Sequence, residues 1–543
     1  MNFLKYALFW VSAAACLAQP VISNGGIVNA ASWAPAGLPN SSIAQGSIFI
    51  IAGTNLGPTT LTLAPAKFPL PTTVANVSVN VNMASTNTAA ILFWVRNDYI
   101  AALLPSTVPV GTGTVTVTYN GQTSNAAPIT VVANSIGIFA IGQNGQGPGV
   151  ITDGAKPQTS VKTELVTQTN SAKAGDTLVA WVTGVGAVPW DETEAPPSTP
   201  LNLQSKLNAS VYVGTTKVTP TYAGPSGCCE GEGQVQFVVP SGISGCYVPI
   251  TIVVGSQVSN TVTTAIDASG KTCSDQFGFS SEELTKIQNG GTLRTGVLDL
   301  NKTQESFAGQ SITNVSAFGT FQSYTAANFT ASAGQFPTLN TCVVNPFTAS
   351  TGIVTPGFFT GLDAGSSIAL TGPNGDATLT PITDEKGFYT ADLAPTFLDA
   401  NTGSFVFSGT GGADVGAFTA TLPAAPPLTW TNETSIGTNG VVRSQGVQIT
   451  WSGGDPTGFV EIEGFSQSDA GNGANFLCIA KNSLGQFTVP SWVTGSLPAS
   501  STSVSGGQIT VLGTSKFASF TATGIDAGFV FESSGASSAV TFQ

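Results

Sequence analysis

The block GSIFIIAGTNLG at residues 46–57 returns in outline as GDTLVAWVTGVG at residues 175–186. Its punctuation returns with it. Ala174-Gly175-Asp176 stands where Gln45-Gly46-Ser47 stood, residues 178–182 match residues 48–52, and Gly184-Val185-Gly186 replaces Thr54-Asn55-Leu56-Gly57. Val211 and Val213 answer Val79 and Val81, Val239-Pro240-Ser241 answers Leu104-Pro105-Ser106, and Ser259-Asn260 answers Ser124-Asn125. From Pro105 to Asn125 and from Pro240 to Asn260 the interval is 20 residues in both copies. Turn residues and apolar runs that recur at fixed offsets mark two copies of one unit. The sequence therefore predicts homologous modules at residues 23–133 and 134–267.

Within the first copy, Val77, Val79 and Val81 alternate with Ser78, Asn80 and Asn82, the period of a strand with one buried face. Residues 89–95 read as a strand buried on both faces, and Asn120-Gly121 is a hairpin signal. Roughly seven short strands separated by turn residues is the pattern of an immunoglobulin-like sandwich. The composition agrees: 63 Gly and 32 Pro supply turns, and 41% hydrophobic residues supply cores although only 8% are charged. A chain of 543 residues exceeds one core and implies roughly three to five modules.

The first copy carries GGIVNAASWAP, GSIFIIAGTNLGP, PLPTTVANVSVNVN, ALLPSTVPVGTGTVTV and SIGIFA, and the second GCCEGEGQVQFVVP, GCYVPI and TCSD. Together with FFTGLDAGSSIALTGPNG, GGADVGAFTA, PPLTWTN and SQGVQITWSGGDP further on, these stretches resemble an uncharacterised acidobacterial secreted-protein family with TIG-like modules. The resemblance spans most of the chain and implies Ig-like sandwiches. It implies no activity and supplies no catalytic residues.

After the second copy, Ser280 and Glu283 form a capping box for a short helix that Gly290-Gly291 ends. Strand alternation resumes in a β-rich region, so that residues 268–422 hold a helix followed by strands. Residues 423–427, PAAPP, read as a stiff linker before a C-terminal sandwich at residues 428–543. The expected fold is all-β: tandem Ig-like/TIG-like β-sandwich modules with one short helix between the second and third regions.

Composition excludes much chemistry. No histidine occurs, which removes imidazole bases, Ser-His-Asp and Cys-His arrangements, and His-ligated metals. A net charge of −13 without a Lys/Arg cluster argues against nucleic acid and anionic membrane surfaces. No G-x-S-x-G, Walker A or EF-hand pattern is present. No cofactor and no metal site are expected.

Residues 1–18 read as a signal peptide: Lys5, an apolar stretch, then Cys16-Leu17-Ala18 as the cleavage site, with lipidation of Cys16 the lesser alternative. Cys228, Cys229, Cys246, Cys273, Cys342 and Cys478 remain, an even number in an exported chain and so candidates for disulfides. The expected pairing joins one of Cys228 and Cys229 to Cys246 and the other to Cys273; pairing of Cys342 with Cys478 stays open.

Aspartate and glutamate are the acid–base residues left. Asp191-Glu192-Thr193-Glu194 reads as a solvated acidic loop, Asp384-Glu385 as a turn, and Glu461 with Glu463 as an outward-facing pair on one strand face. Loop calcium through Asp376 or Asp414 has no supporting motif. Trp33, Trp190 and Trp492 lie in loop-like contexts and are the ligand-binding candidates, with packing as the competing reading; Trp94, Trp181 and Trp451 read as core, and Trp430 as a boundary contact. These features point to a secreted or cell-surface, non-catalytic spacer, adhesin or assembly component. The alternative is a carbohydrate-binding or carboxylate-based carbohydrate-active protein. Expected partners are a glycan or protein at the cell surface, or a second copy through sheet edges.

Overall fold

Val77, Val79 and Val81 are fully buried while their neighbours are half-exposed, so the alternation read from the sequence is the inner face of a sheet. The structure, a computed structural model, describes residues 19–84, 86–154, 164–307, 310–333, 336–348, 359–501 and 506–543. The expected signal peptide lies outside the described residues.

Module 1 packs two sheets face to face. One has the strand order Val21–Asn29, Ile48–Thr54, Tyr99–Leu103, Ile91–Val95 and Thr62–Leu63. The other centres on Ala127–Val132, Gly111–Tyr119 and Val77–Asn82. Phe49, Ile51, Leu92 and Val117 fill the space between them. Module 2 repeats the plan, with Thr177–Thr183 and Gly233–Val238 in one sheet and Ser210–Val213 and Gly245–Val254 in the other.

The repeated Ser-Asn pair has one job in both copies. Ser124 Oγ accepts from Val117 N at 3.0 Å, as Ser259 Oγ accepts from Ile252 N at 2.9 Å. Asn125 takes both backbone groups of Ile22 through its amide, and Asn260 takes both of Ile138. Each asparagine thus stands in for a strand partner at an otherwise unpaired edge. In the sheets, Ile48 lies opposite Leu103 and Thr177 opposite Val238. The second strand therefore aligns one residue earlier than residues 178–182 on 48–52: Leu178 occupies the place of Phe49.

Beyond residue 280 the organisation differs from the sequence reading. Ser280 and Glu283 do form the capping box of the helix Ser281–Gln288. The described residues also include the short helices Gln204–Leu207, Ala326–Ala333, Glu433–Asn439 and Ser491–Ser496. Strands from both sides of residues 423–427 share one 14-stranded sheet. Leu293–Phe307 pairs antiparallel with Gln310–Tyr324 and parallel with the C-terminal Ala527–Ala539, from Thr295↔Ala527 to Ser306↔Ser538. Residues 423–427 thus run from Phe418–Pro423 at one end of that sheet into Leu428–Trp430 of a separate three-stranded sheet, and later strands return to the 14-stranded one. That sheet serves two cores, one around Phe321, Phe405 and Phe418 and one around Trp430, Trp451 and Phe476. No described helix is long and apolar enough to cross a membrane.

Cys246 pairs with Cys273, Cys342 with Cys478, and Cys228 with its neighbour Cys229. The expected staple from Cys228 and Cys229 to Cys246 and Cys273 is thus incorrect. Cys246 and Cys273 are buried in the module 2 core, whereas Cys228 and Cys229 are exposed. Cys342 and Cys478 lie directly opposite each other on adjacent strands.

Candidate binding groove between the first two modules

Sandwich strands normally turn polar residues to solvent, but the outer faces of modules 1 and 2 carry aromatic ones where they meet. In Ile91–Val95 the pairing to Tyr99–Leu103 shifts register between Leu92 and Trp94. This bulge lets Leu92 and Val95 point into the core while Phe93 and Trp94 both stay half-exposed on the outside. In Thr177–Thr183, Leu178, Ala180 and Val182 are fully buried and Trp181 alternates outward. Trp33 sits in the turn after Val21–Asn29 with φ of 52° and meets Tyr99 edge-on at 6.2 Å.

These rings line one groove of about 1100 Å³, with Phe139 from module 2 and the Cys228–Cys229 disulfide on its wall. Trp181 is held by Nε1 donating to Thr152 Oγ1 at 3.1 Å. The two modules are locked at its base: Ile48 N donates to Thr183 Oγ1 at 2.9 Å, and that hydroxyl donates to Gly231 O at 2.7 Å.

The acidic loop forms a second lock. Glu192 is buried, not solvated, and accepts from the backbone N of Ser106 in module 1 at 2.8 Å and from the Ser106 hydroxyl. The Ser106 hydroxyl also accepts from Val188 N at 2.9 Å, so its position is fixed from both sides. Burial raises the Glu192 carboxyl above its usual range, against the Ser106 hydrogen bonds that lower it. Asp191 remains exposed and is lowered by the backbone and hydroxyl of Thr193.

Glu230 and Glu232 supply polar groups to the groove, and among the described residues none that lines it is Lys or Arg. Burial pushes Glu230 up to about 7, opposed by the Trp190 indole and reinforced by the charges of Glu192 and Asp191. Cys228, Cys229 and Glu232 bring candidate ligand atoms within 4.8 Å of one another. The disulfide leaves no thiolate there for a metal.

Sequence reasoning divided the tryptophans differently. Trp33 lines the groove, Trp190 sits behind it on Glu230, and Trp492 is core: the helix Ser491–Ser496 buries it to 4% exposure against Tyr212. Trp94 and Trp181, read as core, are groove residues. Trp451 is core as expected, and Trp430 pairs with it in the same small sheet. The missed signal was the period of two in Leu178-Val179-Ala180-Trp181-Val182, which places Trp181 opposite in sense to the core positions Leu178, Ala180 and Val182.

Fold and groove together define an all-β protein of tandem Ig-like sandwiches. No protein-family profile and no characterised sequence relative match the chain. Among solved structures it is similar to SGBP-B from a complex xyloglucan utilization locus in Bacteroides uniformis, at 11% identity over 69% of this chain and 86% of that one, with a TM-score of 0.17. Domains 5–6 of the S-layer protein SbsC give 14% identity over 46% and 98%, TM-score 0.17. The titin I-band fragment I67–I69 gives 9% over 75% and 98%, TM-score 0.14. At such scores the likeness carries no inference about role.

Proposed function

We propose that this is a secreted or cell-surface, non-catalytic binding protein that holds a neutral carbohydrate chain in the groove between modules 1 and 2. The observation that carries the reading is the set of half-exposed rings of Trp33, Phe93, Trp94, Phe139 and Trp181 on outer sandwich faces, all turned to one groove. Sugar rings present C–H faces that stack on such flat, weakly negative surfaces, while their hydroxyls need acceptors at the edges. Glu230 and Glu232 supply acceptors, and their acidity disfavours phosphorylated or sulfated ligands, with no Lys or Arg among the described lining residues. The other modules then act as the spacer that presents this groove.

Affinity electrophoresis and calorimetry against soluble neutral polysaccharides test the proposal. Trp94→Ala and Trp181→Ala should each weaken binding about tenfold, equivalent to about 1.4 kcal/mol. Trp451→Phe in the distant core should leave it unchanged. No binding by the intact chain to any neutral polysaccharide would return the reading to a spacer or self-assembling component, which light scattering would then report.

A further inference from the structure

Another concave site lies on the 14-stranded sheet, away from the groove, and its chemistry differs. Glu461 and Glu463 do share a strand face, as their spacing requires, but Glu461 does not face open solvent. It borders a cavity of about 510 Å³ that also takes in Asp299. The cavity roof comes from the junction after module 2, through Phe277 and Phe279, and its floor from the sheet.

Its walls are phenyl rings in mutual contact. Phe517 lies 4.7 Å from Phe531, 5.3 Å from Phe459 and 6.1 Å from Phe277, centroid to centroid. All four are only half-buried, so their faces remain available. Among them sit acid groups without a counter-charge: among the described residues none that lines the cavity is Lys or Arg. Asp299 Oδ1 is sealed from solvent and has no hydrogen-bond partner, although part of the residue opens to the cavity. Glu461 Oε1 accepts from Thr514 Oγ1 at 2.8 Å, and Thr514 is in turn 3.5 Å from Ser533 Oγ, next to Asp299. Burial above all, then the nearby Glu461 and Glu532 carboxyls, hold Asp299 up to about 8, against a hydrogen bond with the Ser533 side chain that lowers it.

We propose that this cavity binds a small organic cation, an amine or quaternary ammonium group, between the phenyl faces with Asp299 and Glu461 as its counter-charge. Aromatic rings attract a cation through their quadrupole, most strongly where water is excluded, and the two acids, held largely protonated by burial, ionise when a cation supplies the counter-charge that the described lining lacks. A bare metal ion fits less well. Among the described residues, the one group with three candidate ligand atoms within 4.8 Å of one another is at Cys228, Cys229 and Glu232, so these carboxylates are not gathered to metal-ligand distances.

Calorimetry with choline and its uncharged carbon isostere, 3,3-dimethylbutan-1-ol, tests the proposal on the full chain. Choline should bind saturably and at least about tenfold more tightly than the isostere, the discrimination expected from cation–π and carboxylate contacts. Glu461→Gln, which keeps the side-chain shape, and Phe517→Ala should each weaken choline binding. Glu463→Gln at the exposed rim gives a second carboxylate variant should Phe517→Ala fail to fold. Trp181→Ala in the groove should have no effect. Equal binding of the isostere, absence of saturable choline binding, or indifference to Glu461→Gln would overturn the proposal.

Discussion

The indole Nε1 of Trp190 donates to Glu230 Oε1 at 2.9 Å, which binds a loop tryptophan to a buried acid at the back of the groove. Burial pushes that acid up to about 7 and the indole hydrogen bond restrains it. Near neutral pH the carboxyl therefore changes between a neutral acceptor and a carboxylate, to which the indole bond is stronger. Tryptophan fluorescence should show a transition centred near pH 7 that disappears in both Glu230→Gln and Trp190→Phe. Persistence of the transition in Glu230→Gln would assign it to another group.

Stability should be greatest in mildly acidic solution. Burial raises Asp275 to about 6, Glu230, Glu461 and Glu532 to about 7, and Asp299 to about 8. In the unfolded chain such carboxyls titrate near about 4. Between those values the native state binds more protons than the unfolded one, so the slope of unfolding free energy with pH is negative. The resulting stability is fully present near the unfolded values and is lost as pH rises through the folded ones. Calorimetric melting from pH 4.5 to 9 should give a falling Tm over roughly pH 5–8; a rising Tm across that window would refute the assignment.

The paired asparagines separate burial from geometry. Asn125 and Asn260 make equivalent bonds to Ile22 and Ile138, but Asn260 is buried at 6% exposure and Asn125 is exposed. Asn260→Ala leaves the buried N–H and C=O of Ile138, and the C=O of Gly145 that the same amide also reaches, without this partner and should cost about 2–4 kcal/mol. At Asn125 water can replace the amide, and the cost should stay near about 1 kcal/mol. Urea unfolding of the two variants measures the difference. Equal losses would mean that strand-edge geometry, rather than desolvation, sets the value.

The sandwich repeat and the capped helix were legible because each is written in local patterns: turn residues, a period of two, a capping box at Ser280 and Glu283. The groove was only half legible. Trp33 stood out as a loop residue, but Phe93 and Trp94 turn outward because of a bulge whose register depends on Ala101 and Ala102 of the next strand. Glu192 looked solvated because its partner, Ser106, lies 86 positions earlier in another module. The shared sheet was hidden for the same reason, since the pairing of Thr295 with Ala527 joins strands that neither turn chemistry nor composition connects.

The two kinds of disulfide should part company on removal. Cys342 and Cys478 close a separation of 136 residues, and losing that constraint on the unfolded chain should cost about 2–5 kcal/mol in a Cys342→Ala, Cys478→Ala variant. Cys228 and Cys229 are adjacent, so their bond encloses almost no chain and restricts the unfolded state very little. Its contribution lies at the surface, as an apolar, polarisable face on the groove wall. Cys228→Ser with Cys229→Ser should leave the urea midpoint nearly unchanged while weakening polysaccharide binding. Should that double variant lose stability and keep its affinity instead, the bond belongs to the folding of module 2 and the groove wall is made by the aromatic rings alone.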